Sequence, residues 1–212
     1  MESRREFLKR MATTVVAMGL NPYLSVSVTD DIYTNSRLGL SLDKPRTWEY
    51  SSIADFAALR EATVLQDMVA NEPHLLKDPQ NLPVFLFEDP TNREGYFAPG
   101  VVLFDEINPL PIPKDEALAH RTVMIDGFRS SYKNVELHEE PRQIELRGER
   151  GSIGKWSYTH EVDNGFECDV IVQSIVVFRG DRVHTFYLTD SLDAPRIERE
   201  IWDNVIQSIT YN

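Results

Sequence analysis

Apolar and polar positions alternate most regularly in the last third of the chain. Two turn signals punctuate that region. Asn164-Gly165 suits a type I′ hairpin, whose two central residues need positive φ, and Gly180-Asp181 marks a second hairpin. Together they predict a three-stranded antiparallel meander over about 152–163, 166–179 and 182–190. A two-residue turn at Asn164-Gly165 sets His160 opposite Asp169, Tyr158 opposite Ile171 and Trp156 opposite Gln173. The second hairpin pairs Val177 with His184 and Ile175 with Phe186. In this register one face carries Trp156, Tyr158, Ile171, Ile175, Val177, Phe186 and Leu188. The other carries Cys168, Val170, Val172, Val176, Phe178, Val183 and Tyr187. A sheet that is apolar on both faces has to be covered on both.

Helical periodicity supplies the covers. Ser52–Ala62 reads as a helix capped by Ser51 or Ser52. Lys114–Tyr132 reads as another, with Leu118, Ile125, Phe128 and Tyr132 near one face. A third starts at Asp193, with Pro195 in its first turn and Ile197, Ile201, Val205 and Ile209 along one side. Shorter strands are expected at Leu38–Leu42, ahead of a turn at Pro45 and Trp48, and at Val84–Glu88 and Val101–Ile107; Asn108–Pro113 is a loop. Residues 63–83, with Pro73, Pro79 and Pro83, fit no single element. The expected fold is α+β: a three-layer α/β/α sandwich around a mainly antiparallel sheet.

The start of the chain has a different pattern. Ser3-Arg4-Arg5-Glu6-Phe7-Leu8-Lys9 is a twin-arginine export signature, read through Arg4, Arg5, Phe7 and Leu8. The apolar run from Met11 to Leu20 falls short of the roughly 20 residues of a bilayer span. Ser25-Val26-Ser27 is the best small-x-small cleavage candidate. These features divide the chain into a signal peptide over 1–27, a tether over 28–36 and one domain over 37–212. They place the product in a periplasm or thylakoid lumen, and at the membrane if the signal is retained. The twin-arginine translocase is the first expected partner.

Charge narrows the partners further. The chain has a formal net charge of -12. Arg4, Arg5, Lys9 and Arg10 against Glu2 and Glu6 give the first twenty residues +2, so the remainder is near -14. Such a surface repels phosphate backbones, which argues against nucleic acid, and gains nothing from anionic lipid. The single cysteine, Cys168, allows no intrachain disulfide and sits in an apolar strand pattern.

The layout resembles the PsbP-like family, which includes exported bacterial proteins related to DcrB. The matching residues are Gly39-Leu40-Ser41-Leu42 with Pro45 and Trp48. They continue with Val172-Gln173-Ser174-Ile175-Val176-Val177, Arg182-Val183-His184-Thr185-Phe186-Tyr187-Leu188-Thr189 and the closing Val205-Ile206-Gln207-Ser208-Ile209. The resemblance covers about 33–211 and involves no active-site motif. It implies an accessory or assembly role without catalysis, on a membrane-protein complex or another exported protein.

Nucleotide, phosphate and zinc motifs are absent, and no cofactor is expected. Gly148–Gly154 precedes a strand, so it reads as a turn and lacks the helix N-terminus of a phosphate site. His160 opposite Asp169 is the best acid–base or metal candidate, but it lacks a third ligand: His184 lies about 26 Å along the sheet. His138-Glu139-Glu140, and Asp105 and Glu106 beside Asn108, read as solvated acidic groups; Asp105, Glu106, Glu139 and Glu140 are the expected partner-docking residues. Tyr96, Phe97, Phe104, Trp48 and Trp156 are candidates to line an apolar cleft. The competing functions are therefore a small-molecule or lipid carrier using such a cleft, and a hydrolase using His160 and Asp169. For export, the expected outcome is that lysine at both Arg4 and Arg5 leaves the precursor in the cytoplasm, read by cell fractionation; normal export of that variant refutes the signal.

Overall fold

A computed structural model describes residues 26–51, 83–90, 98–107, 115–161, 167–193 and 199–212. The expected helix at 52–62, the ambiguous stretch 63–83 up to residue 82, the loop 108–113, the Asn164-Gly165 turn, Asp193's cap with Pro195 and Ile197, and the export signature all lie wholly or largely outside those residues.

The strands are β1 (Val26–Thr29), β2 (Ile32–Asn35), β3 (Leu40–Asp43), β4 (Glu49–Ser51), β5 (Pro83–Glu88), β6 (Gly100–Ile107), β7 (Lys133–Leu146), β8 (Glu149–Glu161), β9 (Glu167–Arg179), β10 (Arg182–Ser191) and β11 (Thr210–Tyr211). Seven of them form one antiparallel sheet in the order β4-β5-β6-β10-β9-β8-β7. The meander is its centre, as the alternation predicts. At its second turn, Gly180 has φ 60, which a two-residue hairpin with glycine in the first central position requires.

Both faces of the sheet are buried, but by different means. One face (Phe85, Phe87, Val101, Leu103, Ile171, Ile175, Val177, Phe186 and Leu188) packs against the C-terminal helix Arg199–Ser208 through Trp202 and Val205. On the same side lie Tyr33, Leu40 and Leu42 of a second, four-stranded sheet ordered β1-β2-β3-β11. The opposite face carries Trp156, Tyr158, Val170 and Val172 under the helical run Glu116–Ser131. The α+β class and its antiparallel centre follow from sequence; the second sheet does not.

Three expectations change. Residues 28–36 are not a tether. β1 and β2 form a hairpin around Asp30, at φ 53, and Tyr33 and Asn35 are fully buried. A cut after Ser27 would divide β1. The second change is in the meander's first register. His160 pairs with Cys168, Tyr158 with Val170 and Trp156 with Val172. The pairing is one residue from that of a two-residue turn, and a one-residue slip moves every side chain of a strand to the other face. Trp156 and Tyr158 therefore join Val170 and Val172, away from Ile171 and Phe186.

The third change is in the helix over β7 and β8. Glu116–His120 is α-helical, Arg121–Ile125 is a π-helical turn and Asp126–Ser131 is α-helical again. Asp115 caps the start, accepting from the Leu118 amide at 2.9 Å. Inside the run, the Asp126 amide donates to the Arg121 carbonyl, five residues back. Residues five apart are about 140° apart around an α-helix, but nearly one full turn apart in a π-turn. That lets His120 and Ile125 both face the sheet, at 1% and 0% exposure, and turns Leu118 out to 60%.

Backbone approach gives a paired test. A Cβ on Gly151 would lie 2.4 Å from the Val176 carbonyl oxygen, in the middle of the sheet, whereas one on Gly127, in a helix, meets nothing within 4 Å. Gly151→Ala is expected to destabilise by about 1–3 kcal/mol. Gly127→Ala is expected to stabilise by about 0.5–1 kcal/mol. Urea denaturation of both variants checks the two signs.

Candidate functional site

The expected His160–Asp169 pair does not form. The slipped register puts Cys168 opposite His160 and Thr159 opposite Asp169, so imidazole and carboxylate leave the sheet on opposite faces. Thr159 donates its hydroxyl to Asp169 Oδ1 at 2.7 Å and accepts from Asn134 Nδ2 at 3.0 Å. His160 is buried, with Tyr158 edge-on to it at 6.4 Å. Burial first, and then the Asp169 charge, push the Cys168 thiol up, so the group beside His160 is a protonated thiol and a poor nucleophile. A pocket of about 350 Å³ opens here, lined by Asn134, Thr159, Cys168, Asp169 and Asp193 among others. Among the described residues no three His, Cys, Asp or Glu side chains come close enough to hold a metal ion.

A His–Asp contact does exist one strand away. β10 pairs with β6 so that His184 lies opposite Asp105, and also opposite Val177 as expected. His184 Nε2 is 3.4 Å from Asp105 Oδ1, while Nδ1 lies 3.0 Å from the Tyr211 hydroxyl. Arg182 Nε donates to Asp105 Oδ1 at 2.6 Å, and a second guanidinium nitrogen bonds Oδ2. Burial alone would raise the Asp105 carboxyl; hydrogen bonds from His184 and Arg182 outweigh it and hold the group below its ordinary value. The arrangement resembles a catalytic triad in composition only. His184 is 1% exposed, Asp105 is 8% exposed, and neither lines either cavity described here. Its evident work is mechanical. It ties the end of the chain, where Tyr211 pairs with Leu40 and Arg179 covers the Tyr211 ring at 4.6 Å, to the main sheet.

The expected docking residues therefore separate. Asp105 is a buried strand residue, and its charge is committed to Arg182 and His184. Glu106 is half-buried in β6, with its carboxyl raised by burial and by the neighbouring Asp105. Only Glu139 and Glu140 stand exposed, on β7. They face Lys155 at 3.9 Å and Arg121 at 2.7 Å respectively. The glycine-rich stretch makes its turn at Arg147 and Gly148, at φ 50 and 92, and from Glu149 it runs on as strand β8. The candidate cleft aromatics split as well: Trp48 and Trp156 belong to different cores, and Tyr96 and Phe97 lie outside the described residues. An open groove of about 900 Å³ runs between the β1–β2 turn, the β3–β4 connection and the C-terminal helix. Its lining mixes Asp30, Asp31 and Asp43 with Lys44, Arg46 and Arg147, which does not suit a purely apolar ligand.

One polar cluster was not anticipated. His120 Nδ1 lies 2.6 Å from Ser152 Oγ and Nε2 lies 2.5 Å from Ser174 Oγ, with all three side chains enclosed between helix and sheet. One turn earlier, Glu116 accepts from Gln143 at 2.8 Å and meets the Arg150 guanidinium, although it is only 2% exposed. The signal was present as Glu116 and His120 spaced i, i+4, but an i, i+7 reading through Leu118 and Ile125 outweighed it.

No family model matches the chain, and no match was found among curated proteins. Solved structures do match. The cyanobacterial PsbP protein of a Synechocystis species superposes with a TM-score of 0.55 at 12% identity, over 87% of this chain and 95% of that one. A Pseudomonas aeruginosa protein of unknown function, described as a putative regulator, gives 0.48 at 13% identity over 60% and 81%. LpqN of Mycobacterium tuberculosis, described as involved in cell envelope biogenesis, gives 0.40 at 12% over 81% and 83%. The first of these establishes a PsbP-like α+β fold for this chain.

Removing the Asp105 charge tests its assignment as a structural anchor. Asp105→Asn leaves Arg182 and His184 without their carboxylate and is expected to cost about 2–3 kcal/mol. That is below the roughly 3–5 kcal/mol of a fully buried pair, because Arg182 is one-third exposed. A carboxyl held low stabilises the fold above its ordinary range and loses that effect as pH falls through the lowered value. The difference between wild type and variant in urea denaturation should therefore be full at pH 7 and shrink below about pH 4.

Proposed function

We propose that this protein is an exported, non-enzymatic accessory protein that docks on a membrane-protein partner through the acidic edge of its main sheet. The carrying observation is β7. It is a 14-residue edge strand whose Glu136, Glu139, Glu140 and Glu145 are exposed, against Lys133, Arg142 and His138 as its basic side chains. Its backbone is ill-suited to pairing with another strand. Pro141 lacks an amide, and the register to β8 shifts at three places. A partner is therefore met by side-chain charge, and its complementary surface is basic. The PsbP-like fold and the twin-arginine signature support the same reading, the fold by analogy only. No helix among the described residues is long and apolar enough to cross a membrane, which is compatible with release after export.

Glu139→Gln with Glu140→Gln is the test. The charges are exposed and lightly paired, so thermal stability should change by less than about 1 kcal/mol. Retention on isolated membranes should fall several-fold, and wild-type retention should weaken as salt is raised, since exposed charges are screened beyond about 8 Å at physiological ionic strength. Undiminished, salt-independent retention of the double variant refutes docking through β7. In the same assay His160→Gln should behave as wild type; complete loss of function in a folded His160→Gln protein favours the hydrolase.

A further inference from the structure

The cover over the aromatic face is held by apolar packing of Ile125 and Phe128 on Trp156 and Tyr158, supplemented by polar contacts. His120 is seated between Ser152 of β8 and Ser174 of β9, Glu116 between Arg150 of β8 and Gln143 of β7, and Arg121 on Glu140 of β7. Tyr187 of β10 adds a hydroxyl donated to Met124 Sδ at 3.1 Å. The π-turn Arg121–Ile125 lies in the middle of the run, where its looser bonding provides a hinge. We propose that Glu116–Ser131 is an acid-released cover: protonation of His120 undocks the helix and bares the aromatic face around Trp156 and Tyr158.

The seat is built for a neutral imidazole. A neutral ring has one N–H and one bare nitrogen, so one serine accepts and the other donates. In the imidazolium both nitrogens donate, both serines must accept, and the hydroxyl protons they free need new acceptors in a site where both side chains are 0% exposed. A cation there is also cut off from water. Consistent with this, burial pushes the docked His120 from its ordinary 6.5 down to about 4. An undocked helix takes up a proton that the docked one refuses, so docking is at full strength above pH 6.5 and weakens as pH falls toward 4. Between pH 7.5 and 4 the docking equilibrium shifts by about 150-fold.

No spare counter-charge faces the ring. On its own helix, Glu116 is committed to Arg150 and Gln143, and Arg121 to Glu140. The β9 side chains on that face, from Cys168 through Val170, Val172, Ser174, Val176 and Phe178, include no charged group, nor do Val183, Thr185, Tyr187 and Thr189 of β10. On β6 the half-buried Glu106, with its raised carboxyl, and on β8 the buried His160, edge-on to Tyr158, are the other titratable groups on that face.

Amide hydrogen exchange on the full chain from pH 7.5 to 4, with histidine NMR alongside, tests the proposal. Protection of 116–131 is expected to fall by up to about 150-fold with a midpoint that tracks the His120 resonance, while β9 and β10 stay protected. His120→Gln should hold its protection through the window, and Glu106→Gln should still release. If His120→Gln does not fold, the coincidence of the two wild-type midpoints decides. The proposal is overturned if the helix stays protected after His120 titrates, if it opens only together with β9 and β10, if His120→Gln releases as wild type does, or if Glu106→Gln abolishes the release.

Discussion

The main sheet has no polar face to give to water, and that constraint organises the rest of the molecule. β9 alone carries Val170, Val172 and Val176 on one side and Ile171, Ile175 and Val177 on the other, all nearly inaccessible. Two covers are therefore obligatory, and they are of different kinds. The side of Ile175 and Phe186 is sealed by bulk: Trp202 and Val205 from the C-terminal helix, with Tyr33, Leu40 and Leu42 from the small sheet. The side of Trp156 is sealed by a shorter, irregular helix that brings fewer apolar groups, chiefly Ile125 and Phe128, and supplements them with buried polar contacts.

That difference in chemistry implies a difference in durability. Apolar contacts are insensitive to pH, whereas a buried imidazole or carboxylate is stable only in one protonation state. On the first side Asp105, Arg182 and His184 gather where β6 and β10 meet the chain terminus, and the buried Lys155 lies over the Trp202 ring at 5.9 Å. On the second side His120 sits under the middle of the cover. Two indole nitrogens, Trp156 Nε1 and Trp202 Nε1, have no acceptor among the described residues, one in each core, so the burial of bulk has overridden hydrogen bonding on both sides.

Strands rich in β-branched and aromatic residues, turns at glycine, and the need for a cover on each face were legible in the sequence, and these suffice for the class of fold. What was not legible has three physical causes. β7 carries charge at six of its fourteen positions and a proline, because it is an edge strand with little to bury, so it lacks the alternation that reveals a strand. β1, β2 and β11 are two to four residues long, and their burial comes from packing against distant partners. The π-turn changes the helical period inside a single run, so no single period places both His120 and Ile125 on the inner face.

The candidate site was less legible than the fold for a related reason. Class depends on composition averaged over a strand, whereas a site depends on which two side chains meet, and a hairpin's register turns on the length of its loop. Five residues separate the paired Glu161 and Glu167, an odd number, where a two-residue turn requires an even one. That parity alone sends His160 and Asp169 to opposite faces and replaces a proposed dyad with a histidine beside a protonated thiol. Where the register was anchored independently, at Gly180-Asp181, the pairing of His184 with Val177 held. Its acidic neighbour on the other side, Asp105, could be found only once β6 was known to lie beside β10, a contact spanning nearly eighty residues of chain. Local signals determine pairs within a hairpin, provided the loop is read to the residue; pairs between hairpins are set by strand order, which no local signal encodes.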